Sequence, residues 1–171
     1  MSKPPKAPYP PDPDDDAPSP DFHDLLDATV RGADWANERA LRWAPRRVEL
    51  RECRLTGAEL AEAVVADAVF DGCRLDLVGL RHAKLERVVF RDCRMGECDL
   101  LGAQLKDVLF KRCELRSATL AFASVERVEL RGCDLAGVRG AESLRGARMP
   151  WDDVLQNAAL FASLAGLDVL D

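Results

Sequence analysis

The sequence predicts an all-β solenoid, and its periodicity carries the prediction. A large apolar residue returns at every fifth position from Leu50 to Leu135, and an Ala, Val or Cys stands two residues before each of them. Neither the period of 3.6 of an α-helix nor the period of two of a β-strand fits this pattern. One large and one small inward side chain in every five residues describe a chain that turns a corner at each repeat.

A second period, of twenty residues, sets the number of corners in each coil. Twenty residues are four pentapeptides, so side chains at this spacing stack on one face of the solenoid. At roughly 4.8 Å per coil, the uninterrupted repeats form a rod about 22 Å long. The stacked sets are Cys53, Cys73, Cys93, Cys113 and Cys133; Phe70, Phe90 and Phe110; and Ala63, Ala83, Ala103 and Ala123.

This pattern resembles the pentapeptide-repeat family, whose unit reads small, polar, Leu or Phe, and two further residues. The resemblance covers Val48 to Leu135 without a break. It implies a right-handed quadrilateral β-helix with four pentapeptides per coil. Some family members protect DNA gyrase and related bacterial topoisomerases from quinolones. Those members imitate DNA on their surface and carry a C-terminal helix that joins two rods end to end.

The reach of the repeat divides the chain into four parts. Residues 1–20 hold eight of the ten prolines and four aspartates, a composition that cannot bury enough apolar area to become ordered. We therefore predict a disordered Pro/Asp-rich tail over residues 1–20 and an N-terminal cap or distorted first coil over 21–47. The β-helix follows over 48–149, and a C-terminal helix and tail over 150–171.

The frame of the repeat is disturbed on both sides of the uninterrupted region. Upstream, Ala40 and Pro45 do not fit the frame. Downstream, Leu144 is the next match, nine residues after Leu135 instead of ten, so one residue is lost at a glycine-rich bend. Large aromatic side chains suit the plugs that a solenoid needs at its open ends. All three tryptophans lie outside the uninterrupted repeats, at Trp35, Trp43 and Trp151.

The C-terminal segment has the features of a short helix. Pro150, Asp152 and Asp153 are typical of a helix start, and apolar residues then recur at helical spacing. A helix of this length is marginal in water and must pack on something. Its apolar residues cover more than one side, so we predict a cap that also joins two copies. The predicted dimer contacts are Leu155, Phe161 and Leu164.

The residue types that carry chemistry do not form a recognisable site. All six cysteines occupy the small inward position, which favours packing over metal binding. His23 and His82 are the two histidines, and neither has a nucleophile in a pattern that suggests catalysis. We expect no enzymatic activity, no catalytic residues, no cofactor and no metal. Without a run of about 18 apolar residues, we also expect a cytoplasmic protein that does not enter a membrane.

The charge is unevenly distributed along the chain. The net charge is −6, but residues 46–149 hold 19 Lys and Arg against 17 Asp and Glu. The acidity therefore belongs to the ends, whereas a DNA mimic needs a dense acidic surface on its body. Within the body, one corner column alternates in sign, and we expect its neighbours to pair between coils. This alternating column is Asp67, Arg87, Asp107 and Arg127.

Two outward columns are candidate partner surfaces. The arginine column stacks like charges at Arg54, Arg74 and Arg94; either neighbours such as Glu52 and Glu97 compensate it, or an acidic partner binds it. The apolar strip stacks Val69, Val89 and Leu109, where the repeat usually has polar residues. Either a partner covers this strip, or the N-terminal segment folds back over it. The fold-back would bury Phe22, Leu25 and Leu26, and the sequence favours it.

The sequence therefore predicts a non-catalytic binding or scaffold protein that acts on another protein through a rigid β-helix surface. The alternative is a DNA-mimic protein that binds DNA gyrase and confers quinolone-type resistance. The near-neutral body argues against that alternative. We expect no direct binding of nucleic acid.

Overall fold

The structure is a computed structural model that describes residues 3–11 and 21–169. Within these residues six strands, one from each successive coil, form a single sheet in the order β1 to β6. Every neighbouring pair is parallel, as a solenoid with one strand per coil requires. The strands are β1 (Leu26–Arg31), β2 (Arg46–Arg51), β3 (Val64–Asp71), β4 (Lys84–Arg91), β5 (Gln104–Lys111) and β6 (Ser124–Arg131).

The pairing register confirms the coil of four pentapeptides. Phe70 pairs with Phe90, and Phe90 with Phe110, so partners in the sheet are twenty residues apart. Isolated bridges outside the sheet, such as Arg54 with Arg74, keep the same offset. The backbone also takes a positive φ at every fifth position from Asp27 to Gly137, which marks four corners in each coil. The predicted solenoid fold is therefore confirmed.

The interior is filled by like side chains stacked between coils. The rings of Phe70, Phe90 and Phe110 stack at centroid distances of 4.9 and 5.1 Å. All six cysteines are buried and free, as the inward assignment predicted. The five thiols of the cysteine stack contact backbone carbonyls of the preceding coil, as Cys93 Sγ does with Phe70 O at 3.3 Å. Burial raises the pKa of the Cys98 thiol to about 12, so this thiol is neutral at ordinary pH.

Residues 21–47, for which the sequence predicted a cap or a distorted first coil, contain a regular first coil and an aromatic plug. Strand β1 pairs with β2 in the common register, although Ala40 and Pro45 do not fit the repeat. Trp43 occupies the small inward position, where it is buried and stacks on Phe22 at 5.0 Å. Its Nε1 also donates to Phe22 O at 2.7 Å. A large side chain fits here because no coil precedes the first one.

The last coil contains the predicted loss of one residue. Glu129 pairs with Arg148, nineteen residues on instead of twenty. A 3-10 helix over Ala141–Leu144 replaces a regular corner, and it begins after Gly140. A Cβ on Gly140 would clash with the backbone of Ala121, so only glycine allows this close approach.

The C-terminal segment forms two short helices where the sequence predicted one. Helix α1 spans Trp151–Gln156 and helix α2 spans Ala158–Leu164. They are separated at Asn157, whose side chain is buried against the last coil. The end of the predicted tail, residues 170 and 171, lies outside the described residues.

Residues 3–11 lie against the β-helix, where the sequence predicted a disordered tail over residues 1–20. The backbone N–H groups of Lys6 and Tyr9 donate to carboxylates of the alternating column. Backbone N–H groups make these contacts, so the side-chain composition of the segment does not reveal them. The remainder of that prediction, residues 1, 2 and 12–20, lies outside the described residues.

Candidate interaction surfaces

The arginine column forms as predicted. Bridges at the common offset place Arg54, Arg74 and Arg94 one above the other, and all three are exposed. Arg54 NH1 lies 3.2 Å from Asp34 Oδ2, and Arg94 Nε lies 3.7 Å from Glu114 Oε2. Arg94 Nε also lies 3.9 Å from Asp76 Oδ2, so carboxylates pair with the first and last arginines of the column.

The predicted compensation by neighbouring carboxylates is made by Asp34, Asp76 and Glu114, and not by Glu52 and Glu97. Glu52 binds Arg31 at 3.1 Å instead. Among the described residues, Glu97 makes no ion pair, and neither does Arg74 at the centre of the column. Arg74 therefore presents an exposed, uncompensated guanidinium between two paired ones.

The apolar strip also forms, but the predicted cover does not. Val69 pairs with Val89 and Val89 with Leu109 across β3, β4 and β5, and each is half-buried. Phe22 and Leu25 are buried, and Phe22 packs against Trp43 at the N-terminal end, while Leu26 is exposed. These three residues therefore do not fold back over the strip: Phe22 and Leu25 are buried at the N-terminal end, and Leu26 is exposed.

A further basic column was missed by the sequence argument. Its members follow the large inward residue at the end of each strand, and each pairs with the corresponding residue of the next strand from β1 to β6. The signal was available, because reading every twentieth residue from Arg31 gives five basic residues and one aspartate. This basic ladder lies across one corner from the arginine column. Its members are Arg31, Arg51, Asp71, Arg91, Lys111 and Arg131.

The alternating column pairs between coils as predicted. Arg87 binds Asp67 through two nitrogens at 2.6 and 2.9 Å, and Arg127 binds Asp107 at 2.6 and 2.8 Å. Both carboxylates are buried, at 5 and 1 % exposure. The Arg127 guanidinium, with help from Lys6 N–H, lowers the pKa of Asp107 to about 2. Arg87 likewise lowers the pKa of Asp67.

Two side chains at the C-terminal end replace backbone acceptors of a missing coil. In the body of the rod, Gly72 N–H donates to Arg91 O in the next coil, at 2.9 Å. In the last coil, Gly132 N–H donates to Asp153 Oδ2 at 2.6 Å, and Leu135 N–H donates to Asn157 Oδ1 at 3.2 Å. Asn157 Nδ2 in turn donates to Asp153 O at 2.8 Å. No periodic signal in the sequence points to these residues.

The last coil and the helices leave apolar surface incompletely covered. A cavity of about 210 Å³ lies between them. Of the predicted dimer contacts, Phe161 lines this cavity, whereas Leu155 and Leu164 are 57 and 44 % exposed. Trp151 is exposed beside them. The cavity is lined by Leu130, Leu144, Ala147, Met149, Val154 and Phe161.

Metal-binding and membrane-spanning features are absent from the described residues. In residues 3–11 and 21–169, no group of three or more His, Cys, Asp or Glu side chains is placed to hold a metal ion. Across the same residues, no helix combines the length and the apolar character that a membrane crossing needs.

The fold and its columns define a parallel β-solenoid built from five-residue units. Residues 46–120 match the family model described as a pentapeptide repeat region. The chain thus contains a pentapeptide repeat region, as the resemblance predicted. No curated protein matches the chain in sequence.

Several solved structures of pentapeptide-repeat proteins are similar to the chain. A trypsin-treated variant of QnrB1, a plasmid-mediated fluoroquinolone resistance protein, is 17% identical, with 86% of this chain and 91% of that one covered and a TM-score of 0.36. Rfr23 from the cyanobacterium Cyanothece 51142 is 15% identical, with 73 and 90% covered and a TM-score of 0.35. A protein from the Arabidopsis thaliana thylakoid lumen is 18% identical, with 74% of each chain covered and a TM-score of 0.33. At such TM-scores these likenesses carry no functional argument.

Proposed function

We propose that this chain is a non-catalytic binding protein that holds another protein on its rigid β-helix surface. The observation that carries the proposal is the arginine column, in which three exposed guanidinium groups are held one coil apart, at about 4.8 Å spacing. Stacked like charges repel one another unless something compensates them. An acidic partner would relieve this repulsion at Arg74, which makes no ion pair among the described residues.

The basic ladder lies around one corner of the rod from this column, and four of its members are paired with carboxylates of the chain: Arg31 with Glu52, Arg51 with Glu49, Arg91 with Asp71 and Arg131 with Glu129. Arg51 and Arg54 flank the corner at Glu52, and Arg91 and Arg94 flank the corner at Asp92. Backbone hydrogen bonds between coils fix the corner residues, so the Cα atoms of the basic residues on either side of each corner are also held in place. A partner that places several carboxylates along a straight edge fits this arrangement.

Affinity purification with mass spectrometry tests this proposal. The variant Arg54→Gln/Arg74→Gln/Arg94→Gln should lose the acidic partners that the wild-type chain retains. The matched control is Arg39→Gln/Arg42→Gln/Arg81→Gln, which removes the same charge from arginines paired with Glu59, Glu62 and Asp99. The same proteins recovered with all three chains would contradict a role for the arginine column.

The same two basic columns argue against the alternative, a DNA-mimic protein that binds DNA gyrase. A DNA mimic presents carboxylates where DNA has phosphates, and long basic columns repel the surfaces that bind phosphate. We expect weak or no inhibition in a supercoiling assay with purified gyrase. Potent inhibition at low micromolar protein would favour the alternative over our proposal.

We further propose that the C-terminal end joins two copies of the chain. Trp151 and Leu155 on α1 and Leu164 on α2 are all exposed, and large exposed apolar side chains at the end of a rod mark a contact surface. A two-fold dimer would bury the same patch of both copies. Phe161 is better placed to pack the helices on the last coil, because it lines the cavity there.

A further inference from the structure

The proline-rich segment 3–11 contacts the alternating column at two points. Lys6 N–H donates to Asp107 Oδ1 at 2.9 Å, and Tyr9 N–H donates to Asp67 Oδ1 at 3.1 Å. The guanidinium carbon of Arg87 lies 5.7 Å from the centre of the Tyr9 ring, within the range of a cation–π contact. The segment therefore runs along the rod, from the coil of Asp107 towards the coil of Asp67.

Burial along the segment repeats every three residues. Pro5, Pro8 and Pro11 are half-buried, while the residues between them are exposed. Three residues per turn is the period of a polyproline II helix, which the prolines in this segment favour. The two N–H donors, on Lys6 and Tyr9, are also three residues apart. One row of the polyproline II helix thus packs its proline rings against the rod. The neighbouring row donates its backbone N–H groups to the aspartates.

The spacing of the acceptors matches the spacing of the donors. Asp67 and Asp107 are forty residues apart, which is two coils or about 9.6 Å along the rod. Three residues of polyproline II helix rise about 9.3 Å. A column that alternates in sign therefore presents an aspartate once in every turn of such a helix.

The acceptors are held in place without help from the segment. Arg87 and Arg127 each grip the preceding aspartate through two nitrogens, which fixes the plane of the carboxylate. These arginine contacts do not involve residues 3–11, so they orient each carboxylate before a peptide arrives. Prior orientation lowers the entropic cost of binding an extended peptide.

We propose that the alternating column is a recognition site for a polyproline II peptide, and that residues 3–11 of the same chain are its occupant. The ligand needs prolines on one row and backbone N–H groups three residues apart on the next. This surface is separate from the arginine column, so its test does not depend on the function proposed above.

Amide hydrogen exchange of the full chain tests the contact with segment 3–11. Lys6 and Tyr9 amides should exchange more slowly than their intrinsic rates by about tenfold or more, because exchange requires the contact to open. The Ala7 amide is the internal control, since it makes no hydrogen bond in the described structure. Equal exchange at all three amides would overturn the proposal.

Peptide binding tests the recognition site itself. The full-chain variant Lys6→Pro/Tyr9→Pro keeps the polyproline II conformation but removes both donors, so it should release the site. A fluorescent peptide with the sequence of residues 3–11 should bind this variant about tenfold or more tightly than the wild type, in which the site is mostly occupied. The matched control Ala7→Pro adds a proline without removing a donor and should bind like the wild type. Equal peptide binding by all three chains, or none to the double-proline variant, would overturn the proposal.

Discussion

The two ends of the rod are closed by different means. At the N-terminal end, the buried indole of Trp43 stacks on Phe22 and covers the open interior of the first coil. At the C-terminal end, Asp153 and Asn157 bind the free N–H groups of the last coil. Helices α1 and α2 cover the interior of the last coil less completely than the aromatic plug covers the first coil, and they leave a cavity of about 210 Å³.

The difference shows that a solenoid end has two separate requirements. It must cover an apolar interior and must also satisfy the backbone groups of its last coil. Trp43 and Phe22 meet the first requirement within the chain. Asp153 and Asn157 meet the second, while Leu155 and Leu164 remain exposed on the outer side of the helices. We infer that the C-terminal end is completed by a second copy.

The largest effect should come from the N-terminal plug. Trp43→Ala should lower the free energy of unfolding by about 3–5 kcal/mol, because a buried aromatic side chain is replaced by a cavity. The matched control Trp151→Ala removes the exposed tryptophan of the other end and should change stability by about 0.5 kcal/mol or less at low protein concentration. Urea unfolding followed by circular dichroism measures both. Equal losses for the two variants would contradict the closure of the N-terminal end by Trp43.

Acid should lower the free energy of unfolding through Asp107, which lies in the middle of the rod. The pKa of Asp107 is lowered to about 2 in the folded chain by Arg127, from an ordinary value of 3.8. A lowered pKa stabilises the fold above the unfolded pKa, so its contribution, on the order of 2 kcal/mol, should be lost as the pH falls from about 4 to about 2. Urea unfolding at pH 5 and at pH 2.5 measures it. Asp107→Asn should lose less stability than the wild type over this interval, and parallel losses would contradict the assignment.

A smaller loss should follow from removing the C-terminal backbone cap. Asn157→Ala leaves Leu135 N–H without its acceptor and should cost about 1–2 kcal/mol, since a buried unsatisfied donor is unfavourable. Gln156→Ala is the control, because the neighbouring side chain is exposed. Thermal unfolding of both variants measures the difference. An unchanged melting temperature for Asn157→Ala would mean that the helices do not cap the rod.

The rate of cysteine alkylation should show which end of the rod is more accessible to reagent, without a change in stability. All six thiols are buried, and the pKa of Cys98 is raised to about 12, so alkylation of the native chain at pH 8 should be slow. Cys133 should react before Cys53, because short helices cover the last coil and the aromatic plug covers the first. Mass spectrometry after timed alkylation gives the order. Rapid labelling of most thiols would contradict the inward packing.

The sequence predicted the parts of the molecule that repeat. The register of Phe70 with Phe90, the cysteine stack and the pairs of the alternating column all follow from a period of twenty residues. The ends could not be predicted in this way, because single residues such as Trp43 and Asn157 act once and outside the period. The contact of residues 3–11 was missed for another reason: its hydrogen bonds come from backbone N–H groups, which side-chain patterns do not reveal.

Light scattering of the intact protein at tens of micromolar concentration tests the comparison of the two ends most directly. We expect a mass twice that of the 18.8 kDa chain. Leu155→Asp/Leu164→Asp should give the single-chain mass with the β-helix still folded. Leu41→Asp/Leu77→Asp, which changes two exposed leucines on the body of the rod, should remain a dimer. A single-chain mass for the wild type would contradict the completion of the C-terminal end by a second copy.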